Sequence, residues 1–137
     1  MIVTKGELMF ELKERSTTTI VKDVGSKDAK IEVSSQGEIT GRYNATHVET
    51  VDIHLKPDGT MDWEGRGIDI TSKGDMVLLS GKGTGRQESP ISSRFEGEVS
   101  CKTASKRLDW LNSTKFWIDG TQDLSTGKVM AKIFAKE

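Results

Sequence analysis

Apolar and polar side chains alternate with a period of two along most of this chain. Val51, Ile53 and Leu55 alternate with polar residues, and the segments 91–102 and 127–135 repeat the pattern. Such alternation gives each strand one dry and one solvated face, which is typical of antiparallel sheets and not of the continuous apolar strands of parallel sheets. The sequence therefore predicts an all-β protein.

Turn signals divide this pattern into short segments. Asp-Gly pairs favour hairpins because type I′ turns need positive φ at both central residues. The turn signals are Gln36-Gly37, Asp58-Gly59, Lys73-Gly74, Glu96-Gly97, Asp119-Gly120 and Thr126-Gly127. The segments predicted as strands are 7–14, 17–23, 29–34, 37–43, 47–56, 60–70, 76–87, 91–102, 114–119 and 127–135. Leu8, Phe10 and Leu12 are predicted to share the buried face of the first segment.

Long strands in meander order favour an up-and-down barrel over the alternative, a sandwich. No helix-period segment is long enough for a crossover, which excludes βαβ folds. Glycines inside the strands at 65, 67, 81, 83 and 85 fit the strong curvature of a small barrel. We therefore predict one domain spanning 1–137, an antiparallel up-and-down barrel of about eight strands with a short helical turn near 105–112.

Composition excludes several classes of partner. Twenty basic and 21 acidic residues leave a net charge of −1, so nucleic-acid binding is not expected. The longest apolar runs, such as 76–79, are too short to span a membrane. The N-terminus has no charged-then-apolar leader, and a single cysteine, Cys101, fits a reducing compartment. These features predict a cytoplasmic protein.

Two stretches carry a resemblance to a known family. The first is Gly59–Ile70 with Gly74-Asp75 and Ser80–Gly85, and the second is Phe95–Val99 with Thr103 and Leu108–Asn112. Together, over roughly 37–135, they resemble small calycin-like barrels of the allene oxide cyclase type, which include bacterial and archaeal families of unassigned function. The resemblance implies an eight-stranded barrel with an internal cavity, often in a homo-oligomer. Plant cyclases of this type rearrange an unstable fatty-acid epoxide, but none of their catalytic residues can be placed on this chain.

The strongest candidate site residues are His47 and Glu49. By alternation they share a face with Val51, which predicts a polar mouth leading to an apolar floor inside the barrel. A histidine and a carboxylate two apart on a strand project side by side, as a base and its orienting partner require. Three interpretations remain open: a solvated pair outside the barrel, a mutually satisfied structural pair, or a ligand-binding or catalytic pair.

The remaining candidates are expected to frame a cavity. Tyr43 could cap its mouth, Arg66 lies between two glycines where a ligand could approach the backbone, and Trp63, Phe95 and Phe116 could line it. Each also has an ordinary interpretation, as a core aromatic or an outward charge.

No metal or cofactor is predicted. His47 and His54 fall on opposite strand faces, and the lone Cys101 completes no zinc-binding spacing. Cys101 shares the inward face of its strand without a neighbouring base, which predicts a buried structural thiol.

Three functional hypotheses follow from the barrel. The first is a module that binds one small apolar or amphipathic molecule in the interior. The second is a cofactor-independent isomerase or cyclase in which His47 and Glu49 move a proton. The third is a packed barrel with a structural or interaction role. A cavity of a few hundred cubic ångströms would favour the first two, and polar groups converging deep within it would favour catalysis.

Overall fold

The computed structural model describes residues 5–136, which form a closed antiparallel barrel of eight strands. Each strand pairs with the next along the chain, and β1 pairs with β8 to close the sheet. The strands are β1 (Lys5–Val24), β2 (Ala29–Gly41), β3 (Ala45–Leu55), β4 (Thr60–Thr71), β5 (Met76–Ser89), β6 (Ser92–Thr103), β7 (Lys115–Asp123) and β8 (Lys128–Lys136). The predicted up-and-down barrel is therefore confirmed.

The ten predicted segments become eight strands because two predicted breaks do not exist. Segments 7–14 and 17–23 are one strand, β1, and segments 29–34 and 37–43 are one strand, β2. Gly37 is not in a turn, since it pairs with Glu14 across the sheet, and a Cβ on Gly37 would lie 2.5 Å from the Cα of Glu14. This glycine permits close strand approach.

Half of the predicted turn signals are turns. Gly59, Gly74 and Gly127 have positive φ between consecutive strands, where glycine has no steric penalty. The pairs Glu96-Gly97 and Asp119-Gly120 lie instead within β6 and β7, as Gln36-Gly37 lies within β2.

A short helical turn closes one end of the barrel. It is a 3-10 helix over Asp109–Ser113, displaced toward the C-terminus from the predicted 105–112. Its Leu111 is fully buried and belongs to the same apolar core as Phe10, Tyr43 and Phe116. The ring centroids of Phe10 and Tyr43 are 4.6 Å apart. This packing forms a plug at the end where β3 begins, and the opposite end is more open.

The predicted face of β1 is wrong at its first residue. Leu8 is 42% exposed, whereas Phe10 and Leu12 are buried. The pairing of β1 with β8 shifts register between Leu8 and Phe10, and such an irregularity moves a side chain to the other face of the sheet.

The outer face carries exposed apolar side chains on three neighbouring strands. Val48, Ile68 and Leu78 pair in one row across β3, β4 and β5, and all are exposed. The neighbouring Ile70 is exposed too. No helix among residues 5–136 combines the length and the apolar character needed to cross a membrane.

We expect Gly83→Ala to destabilise the barrel far more than Gly65→Ala. A Cβ on Gly83 would lie 1.9 Å from the backbone oxygen of Glu96, which cannot move without displacing β6. A Cβ on Gly65 would meet nothing closer than a methyl group of Val51, at 3.3 Å. Overpacking of this kind costs about 1–3 kcal/mol. Thermal melts of both variants beside wild type measure the difference, and equal melting temperatures for the two variants would contradict this packing.

Candidate functional site

Four ionisable side chains meet inside the barrel. Glu14 comes from β1, His47 and Glu49 from β3, and Asp69 from β4. We call these four residues the polar cluster. Their positions alternate with outward residues, so each strand places them on its inner face. Glu14, His47 and Asp69 are buried, and the side chain of Glu49 is 19% exposed.

His47 is the centre of the polar cluster. Its Nδ1 lies 2.5 Å from Oδ1 of Asp69, and its Nε2 lies 2.6 Å from Oε1 of Glu49. The hydroxyl of Tyr43 donates a hydrogen bond to the other oxygen of Asp69. Tyr43, Asp69, His47 and Glu49 therefore form a continuous chain of hydrogen bonds.

Glu14 has the fewest hydrogen-bond partners in the polar cluster. Its Oε2 lies 3.5 Å from Nε2 of His47 and has no hydrogen-bond partner. Burial and the nearby charge of Glu49 raise the pKa of Glu14 to about 9. At neutral pH Glu14 is thus a protonated carboxylic acid, a group that can donate a hydrogen bond or a proton.

His47 is positively charged at neutral pH. Burial by itself would lower its pKa, but the hydrogen bonds to Asp69 and Glu49 outweigh that effect and raise the pKa to about 10. Both ring nitrogens therefore carry protons, with Nδ1–H donating to Asp69 and Nε2–H donating to Glu49. Burial, and then the charge of Asp69, also raise the pKa of Tyr43, which keeps its phenol protonated.

A cavity of about 120 Å³ lies against the polar cluster. Its walls are mainly apolar, and they include Leu12, Val33, Val51, Ile53, Trp63, Leu79, Phe95 and Val99. The volume is smaller than the few hundred cubic ångströms expected, but it exceeds the space of one water molecule several-fold. The barrel is thus not fully packed.

The polar end of this cavity is its floor. Ala45 and His47 lie near the plug and are buried, whereas Val51 and Ile53 lie further along β3 and are partly exposed. The predicted order, a polar mouth and an apolar floor, is therefore reversed. The error arose because alternation gives the face of a strand but not which end of the barrel is closed.

The structure brings together six of the eight residues predicted for the site. His47 and Glu49 belong to the polar cluster, and the interpretation as a solvated pair is wrong, since His47 is 5% exposed. Tyr43 bonds to the cluster but lies in the buried core near the plug and not at a mouth. The side chains of Val51, Trp63 and Phe95 line the cavity. What these residues do stays a prediction.

The other two predicted residues are placed differently. Arg66 borders the cavity, but its side chain is 56% exposed and forms ion pairs with Asp52 and Glu32, so its charge faces outward. Phe116 does not line the cavity, because it packs in the plug, 6.0 Å from the ring of Phe10.

The sequence patterns did not single out Glu14 and Asp69. Glu14 has the parity of Phe10 and Leu12, so its inward position could have been found from alternation. Asp69 was obscured by Ile68 and Ile70, because apolar neighbours suggest that the intervening polar residue faces solvent. The structure shows the opposite, with both isoleucines exposed and Asp69 fully buried.

Glu14, His47 and Glu49 also offer three metal-ligand atoms within 4.8 Å of one another. To bind a cation, His47 would have to release the Nε2 proton that it shares with Glu49 at 2.6 Å. The arrangement therefore fits a hydrogen-bonded proton network better than a metal site.

Cys101 is buried outside the cavity lining, and burial raises the pKa of its thiol to about 12. An un-ionised buried thiol is a poor nucleophile.

Solved structures with the same barrel were found, but no sequence family. No protein-family model and no curated protein matches the sequence. A conserved protein of unknown function from Rhodopseudomonas palustris aligns with a TM-score of 0.84 at 12% identity, over 100% of this chain and 99% of that one. A β-barrel-like protein from Acinetobacter baumannii gives a TM-score of 0.80 at 12% identity, over 100% and 98%. An enzyme from Penicillium herquei gives 0.68 at 20% identity, over 96% and 92%. These likenesses establish the fold alone.

We expect the stability of the protein to fall as the pH rises from 5 to 9. The folded state holds protons on Glu14 and His47 up to pKa values of about 9 and 10, whereas the unfolded chain releases them near 4.5 and 6.5. Because the native state binds more protons in this window, the free energy of unfolding decreases with pH. The loss should exceed about 1 kcal/mol, the equivalent of one pKa unit. Urea unfolding at pH 5, 7 and 9 measures it.

A matched pair of variants assigns this effect to the polar cluster. Glu14→Gln removes one of the two titrations and should make the pH dependence shallower, while Glu11→Gln, on the exposed face of the same strand, should leave it as in wild type. Identical slopes in all three proteins would show that Glu14 is ionised in the folded state.

Proposed function

We propose that this protein is a cofactor-independent acid–base catalyst of the isomerase or cyclase type, acting on one small, largely apolar molecule inside the barrel. The observation that carries the proposal is the position of Glu14. Its buried carboxyl group has an oxygen without a partner, lines an apolar cavity and lies beside the ion pair of His47 and Glu49. A buried polar atom without a partner costs free energy and needs a physical explanation, of which a catalytic role is one.

The polar cluster supplies an acid and a base in one apolar space. Glu14 is protonated because of burial, and Oε1 of Glu49 accepts a hydrogen bond from the Nε2–H group of His47, which leaves other lone pairs of Glu49 free to take a proton. Two carboxyl groups whose environments differ in this way are the usual basis for separate acid and base roles. His47 holds Glu49 in place and is itself oriented by Asp69.

The fold is compatible with catalysis. The Penicillium herquei enzyme has the same barrel fold, but at 20% identity the functions of its residues cannot be transferred to this chain. The neighbours from Rhodopseudomonas and Acinetobacter are barrel proteins without an assigned activity. The resemblance to barrels of the allene oxide cyclase type stays a prediction. If it holds, plant cyclases of that type are an example of catalysis inside such a barrel.

A non-catalytic binding module is the second candidate. The observation favouring it is the cavity wall, which is mainly apolar and would hold an apolar molecule without any reaction. The two candidates differ in whether a bound probe loses a proton.

We expect the protein to accelerate the base-promoted ring opening of 5-nitrobenzisoxazole, a small neutral molecule whose C–H proton must be removed by a base. General base catalysis contributes about 10²–10⁴-fold, so Glu49→Gln should lower the rate by at least about tenfold. The absorbance of the nitrophenolate product measures the rate. Glu64→Gln, which changes an exposed glutamate on the outer face of β4, is the control and should retain the wild-type rate.

Binding is followed in the same samples through the fluorescence of Trp63, with Trp63→Phe separating its signal from that of the other tryptophans. Quenching that saturates without rate acceleration would support the binding module and refute catalysis. Neither quenching nor acceleration would refute both and leave a packed barrel with a structural role.

A further inference from the structure

The polar cluster carries more negative than positive charge. It contains three carboxyl groups, those of Glu14, Glu49 and Asp69, and one imidazole. In the described part of the chain, the only basic side chain that forms an ion pair with these carboxyl groups is His47. Even with Glu14 protonated, His47 balances only one of the two remaining carboxylates. A second anion brought to this floor would be repelled, and the repulsion is strong because the surroundings are buried.

The cluster has only one free hydrogen-bond donor. Both N–H groups of His47 are used, by Asp69 and Glu49, and the hydroxyl of Tyr43 is used by Asp69. The remaining donor of the cluster is the protonated carboxyl group of Glu14, which can donate to the neighbouring Glu49 or to a bound molecule, since its Oε2 has no partner. A bound molecule that presents an acceptor therefore satisfies the carboxyl group of Glu14, which otherwise keeps an unpaired buried oxygen.

The cavity also limits the size of its occupant. Its volume is about 120 Å³. An engineered protein cavity of about 150 Å³ binds benzene, so this one suits a body of about one six-membered ring.

We propose that the substrate is a small neutral carbonyl compound with a removable hydrogen beside the carbonyl group, and that the site rejects carboxylates of the same size. The carbonyl oxygen accepts a hydrogen bond from Glu14, and the adjacent carbon faces Glu49. This assignment deepens the proposed function and rests on it, since it names the substrate class of the same site.

The proton transfers balance without any further reactant. Glu49 takes the hydrogen of the carbon beside the carbonyl, and the electrons of that C–H bond form a carbon–carbon double bond. The carbonyl π electrons take the proton of Glu14, which gives an enol, a protonated Glu49 and an ionised Glu14. Glu14 then takes back the O–H proton of the enol while Glu49 returns a proton to carbon, so that both side chains regain their starting states. Return to the same carbon exchanges that hydrogen with solvent, and return to the far end of a conjugated carbon–carbon double bond, where the substrate has one, completes an isomerisation.

Two molecules with the same ring test this assignment. In D₂O buffer near neutral pH, the protein should incorporate deuterium beside the carbonyl group of cyclohexanone, as followed by NMR. Cyclohexanecarboxylate, which is anionic at this pH, should bind about tenfold more weakly than cyclohexanone or not at all, as measured by its displacement of cyclohexanone. Exchange should persist after EDTA treatment, and its loss there would overturn the assignment of the chemistry to Glu14 and Glu49.

Glutamine variants test the charge of the carboxyl groups in the polar cluster while nearly keeping the shape of the side chains. Glu14→Gln keeps a donor and should retain cyclohexanone binding within a few-fold while losing at least about tenfold in exchange rate. Glu49→Gln removes a negative charge and should reduce the preference for cyclohexanone over cyclohexanecarboxylate. Glu64→Gln, on the outer face, should leave both measurements unchanged. Wild-type exchange rates in Glu14→Gln would overturn the role of Glu14, and melting curves establish that each variant is folded.

The outcomes distinguish the two proposals. Turnover of 5-nitrobenzisoxazole together with equal binding of the ketone and the carboxylate would overturn the substrate class and leave acid–base catalysis standing. Absence of turnover and of deuterium exchange would overturn both.

Discussion

The hydrogen bond between His47 and Asp69 is the interaction on which the interior of this barrel depends. Asp69 is fully buried, and a buried carboxylate is tolerated only when it is paired and hydrogen-bonded. His47 supplies the charge, and Tyr43 supplies the second hydrogen bond. Because Nδ1 of His47 is fixed in this way, Nε2 is directed toward Glu49 and Glu14, and the rest of the polar cluster takes its geometry from that direction.

The barrel tolerates this cluster because glycine occupies the positions around it. Gly37 allows β2 to approach β1 at Glu14, where even a methyl group would collide with the backbone. Gly67 faces the cluster from β4, and a Cβ there would lie 3.2 Å from the His47 ring. These residues keep space for large polar side chains in a narrow barrel. The resulting cavity is a consequence of small residues on one wall and ionisable residues on the floor.

A single net negative charge in a buried site has consequences for both stability and recognition. The same burial that keeps Glu14 protonated makes the folded state hold protons that the unfolded chain would release, which links stability to pH. It also leaves the polar cluster with Glu14 as its one unpaired donor and, within residues 5–136, with His47 as the only basic side chain paired with its carboxyl groups. Stability and the choice of ligand therefore depend on the same few side chains.

The sequence by itself determined the all-β class, the meander order and the shared strand face of His47, Glu49 and Val51, because period-two alternation is a local property of a strand. Whether His47 and Glu49 were buried or solvated stayed open until the barrel was known. It could not show that Gly37 permits a close contact instead of a turn, since that depends on which strand lies beside it. Nor could it show that Asp69 points inward between two exposed isoleucines. Only the closed barrel decided which end is plugged, which carboxyl groups from β1 and β4 reach His47, and how burial sets their protonation, because each of these depends on contacts between residues far apart in the chain.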